Sequence, residues 1–317
     1  MERKHFIKII AGTTGMITLG SFNKITDLLE EQDEKLPVIF MGHGSPMNGI
    51  EDNTFSKRWK EMGKAISIPK AVLCISAHWL TNGTKITAMS QPQTIHDFGG
   101  FPQALFDVQY PAPGDPTLAA ETANMIKKTS VGLDHEWGLD HGTWSVVKNM
   151  YPLANIPVLQ LSIDYNQPLQ YHYELAKELS ELRKKGVLII GSGNMIHNLR
   201  MVAWDKMNVS NYGFDWAIEM NTTFKKYITD KNHQALIDYQ KMGPSAMLAI
   251  PTPDHYIPLI YTLALQDKED NVSFFNDELV AGSLNMTSVF ISNKAMTKPL
   301  VKAPHQNDSS TIDSIQH

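Results

Sequence analysis

Cysteine is nearly missing from this sequence: Cys74 is the one thiol among 317 residues. No internal disulfide can form, and cysteine-based zinc ribbons, iron–sulfur clusters and CxxC redox pairs are excluded. Any metal centre must therefore be assembled from histidine and carboxylates. An excess of positive charge is missing too. Twenty-eight Lys and Arg face 33 Asp and Glu, for a net charge of −5, whereas a nucleic-acid binder normally presents a basic face. No segment of the body has the roughly 18 apolar residues that would span a bilayer. The phosphate-binding glycine motifs are absent: there is no G-x-x-x-x-G-K-[ST], and Gly191-Ser192-Gly193 lacks the third glycine of a dinucleotide fingerprint. Gly42-His43-Gly44-Ser45-Pro46 does not reproduce G-x-S-x-G, and H-E-x-x-H does not occur. Cys74 lies inside an apolar run and reads as core rather than nucleophile.

What is present is a core-forming chain, 42% hydrophobic, of a length that suits one large domain or two small ones. Four short apolar runs stand out: Leu36–Met41, Ala71–Ser76, Pro157–Ile163 and Val187–Ile190. Each is largely continuous in apolar character, as in strands buried on both faces. Helical patterns lie between them at Thr54–Ala65, Pro116–Lys128 and Gln167–Lys185. This alternation predicts an α/β domain with a central, largely parallel or mixed sheet flanked by helices. Val272–Phe275 and Ser288–Ile291 read as later strands. The folded body is expected over residues 36–292.

The ends differ from the body. Arg3, Lys4, His5 and Lys8 precede the mostly apolar or small run Ile9–Phe22, a pattern that resembles an export signal with a degenerate twin-arginine motif. An amphipathic or disordered extension is the alternative, leaving an exported or a cytoplasmic location open. Thr26–Lys35 is charged and reads as a linker, so residues 1–35 are expected to be an extension. Residues 293–317 are expected to form a disordered tail.

Twelve histidines are the main chemical resource. His43 and His78 each sit two residues beyond an apolar strand, and His197 follows the Gly-Ser-Gly turn expected after Ile190. In open α/β sheets ligands gather at the carboxyl ends of strands, so these three can converge. His255 follows the stiff loop Pro251-Thr252-Pro253-Asp254 and precedes the apolar run Tyr256–Tyr261. Imidazoles without competing thiolates suit Zn(II) or Fe(II). Taken singly, each is equally an ordinary loop histidine. His96 sits in a loop with Phe98, Gly99, Gly100 and Phe101, suited to an aromatic pocket wall or to a packed loop. His141 has Asp140 beside it, which either orients the imidazole for acid–base work or caps a helix. His135, His172 and His233 read as surface or packing residues.

Five segments taken in order carry a resemblance: Gly42-His43-Gly44-Ser45-Pro46-Met47-Asn48, Ser76-Ala77-His78-Trp79, His96-Asp97-Phe98-Gly99-Gly100-Phe101-Pro102, Asp140-His141-Gly142-Thr143-Trp144 and His197-Asn198-Leu199-Arg200. Together they resemble the DOPA extradiol dioxygenase family, class III extradiol enzymes related to the catalytic subunit of protocatechuate 4,5-dioxygenase. The resemblance runs from about Leu36 to Ile291. It implies an α/β fold, one mononuclear Zn(II) or Fe(II) site, and cleavage of a catechol such as DOPA by O2 to a muconic semialdehyde. It implies His43, His78 and His255 as metal ligands. His197 is implied as a further ligand or an acid–base residue, and His141 as a pocket-facing catalytic residue. Trp79, His96, Phe98 and Phe101 would contact the substrate. The wider class uses two His and one Glu; here His255 takes the third place, which makes the site more positive and friendlier to zinc. A zinc-dependent hydrolase and a non-catalytic zinc-binding protein of the same fold remain as alternatives at this point.

Overall fold

The structure is a computed structural model and describes residues 35–294. The expectations for the N-terminal extension and the tail fall almost wholly outside the described residues. All four apolar runs become strands: β1 (Val38–Gly42), β2 (Ala71–Ser76), β3 (Val158–Gln160) and β4 (Val187–Gly193). The two later runs become β5 (Asn271–Phe275) and β6 (Ser288–Ser292). The main helices are α1 (Thr54–Ala65), α2 (Pro116–Met125), α3 (His141–Met150), α4 (Leu169–Lys177), α5 (Asp215–Thr229) and α6 (Ile257–Ala264).

The six strands form one sheet in the order β5-β6-β1-β4-β2-β3. β1, β4, β2 and β3 are parallel. β6 runs antiparallel to both β1 and β5, so the sheet is mixed. Because successive side chains point to opposite faces, each strand feeds two cores. Val38 and Phe40 of β1 join Leu73 of β2 and Ile189 of β4 beneath α4, α5 and α6. Ile39 and Met41 join Val72 and Ile190 beneath α1 and α3. Both faces are covered, which is why the strands read as unbroken apolar runs. Among the described residues no helix is long and apolar enough to cross a membrane.

Three differences from the sequence reading have local causes. Gly191-Ser192-Gly193 is strand rather than turn: Phe40, Met41 and Gly42 of β1 stay in register with it. Its glycines mark the close approach of α6, since a Cβ at Gly191 would lie 2.4 Å from the Pro258 carbonyl oxygen. The helix expected to reach Lys185 ends at Lys177 and gives way to a 3-10 turn, Ser180–Arg183. There the buried Arg183 guanidinium turns inward to the Asp270 carboxylate and to the carbonyls of Leu36 and Leu265. Helix α5 was not anticipated. Phe214 stands at its N-cap and makes no side-chain cap hydrogen bond, so the usual start signal is missing.

Candidate metal centre

The strand order brings the carboxyl ends of β1, β4 and β2 side by side. His43 is the first residue beyond β1 and His78 the second beyond β2. His197 follows β4 by four residues. His255 arrives from the loop before α6, and its carbonyl accepts from Asn194 N at 2.9 Å. That contact lies against Gly193, where a Cβ would be 2.2 Å from the same oxygen. His141 opens α3. Gly142 next to it lets the helix start pack on β2, because a Cβ there would meet Ser76 Oγ at 2.6 Å and His78 Cδ2 at 2.9 Å.

The five rings form one cluster. Ring centroids are 5.0 Å apart for His43 and His78, 3.9 Å for His78 and His141, and 5.2 Å for His43 and His255. His255 is 5.0 Å from His78, and His197 stacks on it at 3.7 Å. Donor atoms of His43, His78 and His141 lie within 4.8 Å of one another, as do those of His197, Asp254 and His255. Among the described residues, a groove of about 470 Å³ between α5 and residues 232–242 contains none of them.

Hydrogen bonds fix the tautomers. Ser192 Oγ donates to the Gly142 carbonyl at 2.5 Å, which leaves it to accept from His43 Nδ1–H at 3.0 Å. Asp97 Oδ2 faces His78 Nδ1 at 3.2 Å, and Asp97 Oδ1 accepts from His141 Nδ1–H at 2.9 Å. Asp254 Oδ2 takes His255 Nδ1–H. For His43, His141 and His255 this puts the proton on Nδ1 and the lone pair on Nε2; the Asp97 carboxylate favours a proton on His78 Nδ1 in the same way. The Nε2 atoms of His43 and His78 are 3.2 Å apart. Two nitrogens in contact at that distance need positive charge between them, either a shared proton or a metal ion. Nitrogens bound to one tetrahedral ion at ~2.1 Å would stand about 3.4 Å apart. The donor set therefore fits a metal ion. His197, by contrast, makes no ring hydrogen bond within the described residues.

The electrostatics agree. Burial and the neighbouring imidazoles hold His43 well below the usual histidine value. Burial lowers His255 and His141 as well, against the pull of Asp254 and Asp97. Burial together with His255 takes His197 down to about 3. His78 goes the other way: burial opposes its charge, but the Asp97 hydrogen bond and the fields of Asp140 and Asp254 outweigh burial. Asp97 and Asp254 are both held well below the carboxylate range, burial being overcome by their histidine partners. The site keeps its negative charge one bond behind the imidazoles, so it is less positive than its histidine count implied.

Of the residues expected at the site, His43, His78, His141, His197 and His255 come together. Phe98 reaches the cluster edge-on, 5.5 Å from the His141 ring. Phe101 stands behind it at 5.5 Å. His96 faces elsewhere: Nε2–H donates to the Val108 carbonyl, and the ring packs among Phe98, Phe106 and Trp144. Trp79 is buried and stacks on Trp137. Asp140 is the helix cap of α3, accepting from Thr143 N, Ser76 Oγ and Gln160 Nε2. The carboxylate on His141 is Asp97 instead, and sequence reading gave no role to Asp97, Ser192 or Phe106. A parallel pair of two-residue strands, Gln93–Thr94 and Gly138–Leu139, places Asp97 beside His141. Nothing local in the sequence announces that pairing.

Comparison with known proteins points the same way. The family profile described as the catalytic LigB subunit of aromatic ring-opening dioxygenase matches residues 37–294. The 4,5-DOPA dioxygenase extradiol of Escherichia coli (strain K12) is 42% identical over 261 residues, covering 81% of this chain and 95% of that protein. The protein of the same name from Beta vulgaris is 33% identical over 265 residues, covering 81% and 97%. Among solved structures, an uncharacterized protein of Escherichia coli K12 superposes with a TM-score of 0.68 at 37% identity, covering 81% of this chain and 99% of that one.

Proposed function

The chain belongs to the family of the catalytic LigB subunit of aromatic ring-opening dioxygenases, and from that premise we propose that it is an Fe(II)-dependent extradiol dioxygenase acting on catechols with a polar side chain, DOPA being the model substrate. The observation that carries this reading is the pair of Nε2 atoms of His43 and His78, 3.2 Å apart at the strand ends, with His141 beside them. His43, His78 and His255 would hold the metal. Fe(II), when bound, supplies electron exchange with O2, which closed-shell zinc does not.

The chain's own residues supply the rest. His141 is neutral at ordinary pH because burial lowers it, and its Nδ1–H is tied to Asp97. Its Nε2 is therefore a base, suited to take a proton from a catechol hydroxyl and return it later. Phe98, backed by Phe101, Phe106 and Trp144, gives a flat apolar wall beside that base. The ring carbon–carbon bond next to the two hydroxyl-bearing carbons breaks, and both atoms of O2 enter the muconic semialdehyde. His197 lies against His255, and its ring makes no hydrogen bond among the described residues. Loss of metal in His197→Ala would make it a ligand; retained metal and substrate binding with lost turnover would make it a proton carrier.

The direct test is anaerobic purification, restoration of Fe(II) or Zn(II), and assay of catechol and DOPA in air. The expected result is a yellow ring-opened product with iron alone, with one O2 consumed per ring. No O2 uptake with either metal on any catechol would overturn the proposal. Turnover with zinc that ignores O2 would replace it with metal-assisted hydrolysis.

A further inference from the structure

Asp97 has one carboxylate and serves two imidazoles with different work. Its Oδ1 accepts from both the backbone N and the Nδ1 of His141, each at 2.9 Å. Its Oδ2 lies 3.2 Å from Nδ1 of His78. The side chain is 18% exposed, and it comes from the loop after Gln93–Thr94, outside the strand ends that deliver His43, His78 and His197. The two rings it holds are 3.9 Å apart and inclined at 52°. We infer that Asp97 is a positioning residue that sets the tautomer and ring orientation of His78 and His141 together, so that one side chain aims a metal ligand and the proton-accepting base at the same point. This rests on the metal-centred dioxygenase reading only for the separate roles given to the two histidines. The shared anchoring rests on geometry.

The chemistry of the two oxygens makes a sharp expectation. A carboxylate accepts at both ends; a carboxamide accepts at one and donates at the other. In Asp97→Asn the remaining oxygen should stay with His141, where it takes two hydrogen bonds. The new NH2 then faces His78, whose Nδ1 must give up its proton to accept. The proton moves to Nε2, the atom that should bind metal. Outer partners of metal-bound histidines are typically worth about 10- to 100-fold in metal affinity, and a loss of that size is expected here. Asp97→Ala removes both acceptors, so it should lose at least as much affinity and lower kcat further at saturating metal, because His141 is released as well.

The test uses the full chain with 15N-labelled histidine, read metal-free for the tautomers and titrated with Zn(II) for the affinity. Imidazole nitrogen–proton correlations report the tautomers, and competition with a chelator reports the affinity. Wild type should show Nδ1-protonated His78 and His141. In Asp97→Asn the His78 proton should leave Nδ1, with weaker Zn(II) binding. If both rings stay Nδ1-protonated and Zn(II) affinity is unchanged in Asp97→Asn, the inference fails. Should the Asn variant not fold, as judged by circular dichroism, the same two measurements on Asp97→Ala decide the matter: unchanged affinity overturns it. Neither readout needs ring cleavage. A protein that opens no catechol yet shows the tautomer shift would sink the proposed function and leave the anchoring role standing.

Discussion

Gly193→Ala is the substitution whose effect the structure specifies most closely. The added Cβ would lie 2.2 Å from the His255 carbonyl oxygen and 3.1 Å from its carbonyl carbon. Ordinary separation requires that contact to open by about 1 Å. The Gly193 side is pinned, because β4 pairs with β1 and β2 along its length. The loop of His255 must therefore move, straining its hydrogen bond from Asn194 N. Overpacking of this kind typically costs about 1–3 kcal/mol of stability. The functional cost should be larger, since metal–ligand distances tolerate only about 0.2 Å and a misplacement of about 1 Å can cost ~100-fold in rate. The variant should fold, with metal affinity and turnover each down by roughly 100-fold. Chelator competition, O2 uptake and thermal unfolding measure the three quantities. Gly99→Ala is the control, having nothing within 4 Å of the new methyl group, and should match wild type in all three. Wild-type affinity and turnover in Gly193→Ala would refute the claim that Gly193 sets the seat of His255.

Asp254→Asn should weaken metal binding by about 10- to 100-fold, because the carboxylate that fixes His255 Nδ1–H is lost; chelator competition checks it. Phe98→Ala should raise KM for a catechol by about tenfold while leaving metal affinity alone, since removing an aromatic contact of about 1–1.5 kcal/mol strips the wall beside His141; steady-state kinetics and metal titration separate the two. His172 is wholly buried, its Nδ1 beside Tyr261 Oη and its Nε2 unpartnered, and burial takes it down to about 4. The unfolded chain binds this proton below about pH 6.5, the native one only below about 4. Its stability contribution is therefore complete above pH ~6.5 and lost as pH falls to ~4, amounting to about 3 kcal/mol. In His172→Phe that part of the acid sensitivity should vanish, and denaturant unfolding at pH 7.5 and pH 4 would show it.

The architecture was legible because burial on both faces leaves a plain mark. The run Ala71–Ile75 is apolar at every position, and the structure places the strand at Ala71–Ser76, the bounds read from the sequence. Helices showed through by their apolar pattern at α1, α2 and α4; α1 also begins at an Asn53 capping box and α2 at Asp115 with proline following, while α4 has no side-chain cap. α5 carries no such cap. The strand order was not legible, because it depends on which parallel neighbours pair across long separations. Val38 of β1 faces Ile189 of β4, and only the folded sheet shows it.

The site divides along the same line. Five histidines could be named because each follows a strand or opens a helix, and position along the chain is what a sequence records. Their protonation could not be named, because a tautomer is decided by the acceptor on the far nitrogen. Ser192 is 149 residues from His43, and Asp97 is 44 residues from His141. The neighbour that looked suitable, Asp140, is spent on the Thr143 amide as the cap of α3. Histidine in place of the class's glutamate suggested a more positive site. Instead Asp97 and Asp254 stand behind Nδ1 of His78, His141 and His255. A carboxylate in that place keeps each Nε2 a lone pair and offsets the charge of an ion in front of it. Three ligating imidazoles with those two carboxylates behind the cluster would therefore present a divalent ion with softer donors than a ligating Glu, while leaving the overall charge close to balanced.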